Sequence, residues 1–79
     1  MIKNDLRELK DTINQATDIS DERKLELNKM LQEMLKTETV ELKKSEVAFK
    51  GLIHEFEANH PDVSAIINRI SIMLSGIGV

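Results

Sequence analysis

The 79-residue chain has no cysteine, no tryptophan and no tyrosine, and only one proline, three glycines and two phenylalanines. Without cysteine there is no disulfide framework and no thiolate metal site. Without tryptophan or tyrosine there is no stacking platform for single-stranded nucleic acid. With so few glycines and prolines, helical runs have few places to break. There is also no basic excess: 11 lysines and arginines stand against 14 acids, a formal charge of -3. Binding to phosphate backbones would therefore gain little from counterion release. The most apolar stretch, Val63–Val79, is interrupted by Asn68 and Arg69, whereas a membrane-spanning helix needs about 20 mostly apolar residues. Charges interleave from the start, in Lys3, Asp5, Arg7 and Glu8, leaving no signal-peptide core. These absences lead to the expectation of a cytoplasmic, soluble protein.

What is present is apolar periodicity. Hydrophobic residues make up 41% of the chain and charged ones 32%, too regular a mixture for intrinsic disorder. In segment 2–16, Ile2, Leu6, Leu9, Ile13 and Ala16 alternate four and three apart, one narrow stripe on a helix. Ser20 then offers an N-cap, and Asp21 and Glu22 suit the positive end of a second helix over 21–36. Its stripe is Leu27, Met30, Leu31, Met34 and Leu35, with Leu25 roughly opposite. Thr37–Val40 holds weaker helix formers and reads as a linker or kink, with one continuous helix as the alternative. A third helix is expected over 41–59, with Leu42, Phe49, Leu52, Ile53 and Phe56 on one face and Glu46 and Lys50 in the favourable four-residue order. His60–Pro61 ends it, and the proline is well placed to open the next helix.

The last helix is expected over 61–75. Val63, Ile66, Ile70, Met73 and Ile77 repeat three and four apart, Ile67 and Leu74 widen that face, and Ala65 and Ile72 lie nearly opposite. Gly76 suits a left-handed residue closing the helix, and Gly78 loosens the tail. A helix this apolar is either central in a bundle or lies between chains. A core of fewer than about 80 residues seldom supplies more than ~3–5 kcal/mol, and there is no disulfide to reinforce it. The expected fold is therefore all-α, short helices forming a helical bundle or coiled-coil-like hairpins, completed by dimerisation. The expected surface for a second copy, or for an unidentified protein partner, comprises Val63, Ile66, Ile67, Ile70, Ile72, Met73, Leu74 and Ile77.

Signals for chemistry are sparse. His54 and His60 are the only side chains suited to neutral-pH acid–base work without a large perturbation. They stand six apart, about 120° round a helix, and would not face one ion. His60 reads instead as structural, near the Phe49–Phe56 stripe and able to cap the last helix. Glu55 and Glu57 point in different directions. Ser64, Ser71 and Ser75 have no base held beside them and read as small residues that permit close packing. Gly76-Ile77-Gly78 lacks the following helix and lysine of a phosphate loop. The basic cluster of Lys36, Lys43, Lys44 and Lys50 is diluted by Glu38, Glu41 and Glu46. Neither a metal nor a cofactor is expected, nor an enzyme.

The run Glu55-Phe56-Glu57-Ala58-Asn59-His60-Pro61, followed by an amphipathic helix ending Leu74-Ser75-Gly76-Ile77-Gly78-Val79, resembles the C-terminal signature of domain-of-unknown-function family 4404. The opening Leu6-Arg7-Glu8-Leu9 and the acidic turn Asp18-Ile19-Ser20-Asp21-Glu22-Arg23 are similar to that family as well. The linker around Thr37 is short, and Gly76 stands where such tails often carry Asn or Ala. The resemblance implies a helical bacterial protein without an assigned activity, transfers no catalytic residue, and marks His60–Pro61 as a deliberate helix junction. Residues and resemblance together lead to an expectation of non-catalytic protein–protein association. The alternatives are a small DNA-associated regulator of antitoxin or repressor type, and a membrane-surface binder using the last helix.

Overall fold

The computed structural model describes residues 2–77. Four α-helices and one 3₁₀ segment follow in order: α1 (Ile2–Gln15), α2 (Asp21–Lys36), a 3₁₀ segment (Thr39–Ser45), α3 (Glu46–Phe56) and α4 (Pro61–Ser75). No helix among the described residues is long and apolar enough to cross a membrane.

α1 buries Ile2, Leu6, Leu9 and Ile13 and nothing else, the stripe read from its spacing. A short turn reverses the chain into α2, whose N-cap Ser20 accepts from the Arg23 amide at 3.1 Å. Leu27, Leu31 and Met34 are buried on α2, and Met30 and Leu35 pack against the core edge. The two helices run antiparallel. At one end Lys24 Nζ donates to the Asn14 carbonyl at 3.3 Å, and at the other Lys3 Nζ donates to the carbonyls of Met34 at 2.8 Å, Leu35 at 3.0 Å and Thr37. A cation there meets the negative end of the helix dipole and satisfies carbonyls that have no partner within the helix.

Thr37 is extended and closes α2, its hydroxyl donating to the Glu33 carbonyl at 2.7 Å. The chain therefore breaks here and is not one long helix. The expected α-helix over 41–59 is corrected: residues 39–45 form a 3₁₀ segment, and α-helix begins only at Glu46. Thr39 and Val40 are β-branched and disfavour α-helix, and the tighter 3₁₀ winding still turns Leu42 inward, where it is 1% exposed. Phe49, Leu52 and Phe56 form the buried face of α3.

His60 takes φ -136°, ψ 69° and Pro61 opens α4. α3 packs most closely with α4; α1 packs with both α2 and α4. The result is an up-down-up-down bundle. The turns around 16–20 and 57–60 share one end, and Ile2, Thr39 and Ile77 meet at the other. Arg69 reaches from α4 to Glu8 at 2.8 Å and to Asp5 at 3.4 Å on α1.

α4 is the central helix of the bundle, the first of the two placements its apolar character allowed, packed against both α1 and α3. Val63, Ile67, Ile70 and Leu74 are 0% exposed within the single chain, and Ile66 is buried too. Met73 and Ile77 pack against the same core. Of the eight residues read as an association surface, only Ile72 faces solvent, at 65% exposure. Gly76 is also corrected: its φ is -83° and ψ -11°, ordinary right-handed backbone, and its amide closes α4 on the Ile72 and Met73 carbonyls. Gly78 lies outside the described residues.

Candidate functional site

Of the polar side chains that the sequence singled out for chemistry, His54, Glu57, Ser64, Ser71 and Ser75 lie elsewhere, while Glu55 and His60 come together at the turn end of the bundle. There the α1–α2 turn meets the α3–α4 junction around an open cleft of about 230 Å³, lined by Asp18, Ser20, Arg23, Glu55, Asn59 and His60 over Ile19 and Phe56. α2 supplies Arg23 from its first turn. α3 supplies Glu55 one residue before Phe56 enters the core, so the carboxylate emerges beside the arginine.

Arg23 holds Glu55 through two nitrogens, Nη2 to Oε1 at 2.6 Å and Nε to Oε2 at 2.9 Å. A third contact runs from Nη1 to Glu26 at 3.3 Å. The hydrogen bonds to Glu55 raise the Arg23 guanidinium above the ordinary arginine value, against a lesser opposing effect of burial. Arg69 is raised likewise, first by its hydrogen bonds to Glu8.

His60 is the other joint. Its ring meets Phe56 edge-on, centroids 5.8 Å apart, and Nε2 lies 3.3 Å from Asp18 Oδ1. The side chain does not cap α4 as expected; the His60 backbone carbonyl instead accepts from the Ser64 amide at 2.9 Å. Pro61, with no amide proton, removes one of the unpaired donors that a helix start leaves. His54 points elsewhere, exposed beside Glu57. Among the described residues no three of His, Asp and Glu converge as a metal-binding set.

The cleft has the parts of a clamp. Arg23 and Glu55 are occupied by each other, and Ser20 is occupied as a cap. The other serines are distant in role: Ser64 donates to Pro61 at 3.2 Å and Ser75 to Ile72 at 2.8 Å, each within its own helix turn. Ser71 is buried, and its hydroxyl has no hydrogen-bond partner. At the opposite end a second hollow of about 320 Å³ is apolar and lined by Ile2, Thr39, Met73, Gly76 and Ile77.

The Phe56-Glu57-x-x-His60-Pro61 run is thus one structural unit, in which aromatic, imidazole and proline together turn α3 into α4. The chain matches the family model described as Domain of unknown function (DUF4404) over residues 2–79. It belongs to that family. No curated protein and no solved structure matches it.

Three features escaped sequence reading. Ile19, placed in a turn, is buried at 8% exposure; its isolation from any helical stripe hid it. The Arg23–Glu55 and Lys3–α2 contacts join residues more than thirty positions apart, and a single sequence carries no signal for such pairings.

Proposed function

We propose that this protein is a non-catalytic association module whose product is a protein–protein contact, made by preference with a second copy. The observation that carries this reading is the composition of the outer faces of the α3–α4 hairpin. In a chain that is 32% charged, α3 turns Val47, Ala48 and Gly51 to solvent beside Lys50, His54 and Glu55, and α4 turns Ala65, Asn68 and Ile72 to solvent beside Asp62 and Arg69. Val47 is 81% exposed. The titratable groups of the cleft, by contrast, are engaged with one another in holding the two hairpins together.

Glycine at position 51 supports the same reading. A Cβ there would meet nothing within 4 Å, so the fold of one chain has no need of glycine in the middle of this helix. Glycine in an exposed helix interior costs about 0.5–1 kcal/mol relative to alanine.

The test is molar mass by light scattering across a wide concentration range, with helix content followed in parallel. A reversible rise to a discrete oligomer supports the proposal. A constant monomer mass up to millimolar concentration contradicts preferred self-association.

A further inference from the structure

Resting on the association reading, we infer that the outer face of α3 is the contact surface and that its occupant is the α3 of a second copy, packed antiparallel. Val47, Gly51 and His54, continued by Ala58 after the helix end, are all exposed and spaced four, three and four, the rhythm of a helix-pairing seam. They lie opposite the buried face formed by Phe49, Leu52 and Phe56, so the seam points away from the core. Open space at Gly51 allows a second backbone to approach closely.

Charge chooses the occupant and its direction. Lys50 and Glu57 are seven apart, so they share one flank of the seam, about 10 Å apart along the axis. An antiparallel copy sets this flank against itself and brings Lys50 of each chain opposite Glu57 of the other, making the face self-complementary; a parallel copy turns the flank toward the partner's other flank, where Glu55 is already held by Arg23. Within one chain Lys50 is 3.2 Å from Glu46, and Glu57 is 3.6 Å from His54. Both pairs are exposed on at least one side, and such pairs exchange partners at little cost. The corresponding strip on α4 lacks this property, because its neighbouring cation, Arg69, is committed to Glu8 and Asp5 of α1. One short helix pair covers less than the roughly 800 Å² per partner of a standard interface, so the dimer is weak and reversible.

The experiment is sedimentation equilibrium from micromolar to millimolar protein, with circular dichroism of every variant. Lys50→Glu and Glu57→Lys should each weaken dimerisation about tenfold or more by setting like charges opposite, and the double variant should restore it. Gly51→Arg should abolish the dimer while raising the thermal midpoint at low concentration, which separates loss of contact from loss of fold. A wild-type dimer indifferent to both single charge reversals and to Gly51→Arg overturns the α3 assignment and leaves the association reading standing. A wild-type chain that stays monomeric at millimolar concentration overturns this inference and preferred self-association together.

Discussion

Arg23, in the first turn of α2, and Glu55, in the last turn of α3, face each other in a two-pronged ion pair with contacts of 2.6 and 2.9 Å. They fasten the α1–α2 hairpin to the α3–α4 hairpin at the turn end. Both side chains remain more than a third exposed, so solvent screens the pair. A double-mutant cycle with Arg23→Ala and Glu55→Ala should give a coupling of about 0.2–1 kcal/mol. The coupling should shrink as salt rises, and Arg23→Lys should lose part of it with the fork geometry. The arginine is raised in the folded state, so its contribution is fully present below the unfolded arginine value and fades only as pH climbs through the higher folded one. On the arginine side, the pair should therefore hold constant across the neutral range.

Lys3 is the counterpart at the opposite end. Its ammonium serves three carbonyls at the C-terminus of α2. Lys3→Met keeps the stem and removes the charge. It should cost about 1 kcal/mol, measured by urea unfolding, with faster amide exchange in the last turn of α2.

Ser71 should behave in the opposite sense. Its hydroxyl is buried without a partner, and desolvating such a group costs about 1–3 kcal/mol. Ser71→Ala removes that cost and improves helix propensity. The variant should be at least as stable as wild type, with a gain of up to about 1 kcal/mol raising the thermal midpoint by some 4–8 °C. A clear loss of stability would show that the hydroxyl has a partner in solution.

Phe49 is the largest of the fully buried side chains. Phe49→Ala should cost about 3–5 kcal/mol, nearly all the stability available to a core of this size. Its circular dichroism at 25 °C should show a largely unfolded chain.

The helix stripes were legible in the sequence because each needed only local periodicity. Leu6, Leu31, Phe49 and Ile70, all taken from spacing, are 0% exposed. The fate of the α4 stripe was not legible. Periodicity says that Ile66 and Ile70 must be covered but not by what, and here α1 and α3 of the same chain cover them. The 3₁₀ segment was hidden for a related reason: α and 3₁₀ windings both place Leu42 inward, and no glycine or proline marks the change. Of the cleft, His60–Pro61 was visible as a junction, while Asp18 and Arg23 entered it only through the tertiary fold.

Two isoleucines on α4 test the central claim, that one copy completes its own core. Ile70 is 0% exposed and Ile72 65% exposed, two residues apart on opposite faces of the same helix. Urea unfolding of Ile70→Glu and Ile72→Glu at low micromolar concentration decides the matter. Ile70→Glu should unfold the chain, since a lone charge would be buried without a partner, while Ile72→Glu should leave helix content intact and stability within about 0.5 kcal/mol of wild type. Unfolding of both variants would contradict the account, because it would mean that the outer face of α4 is itself part of an obligatory core between chains.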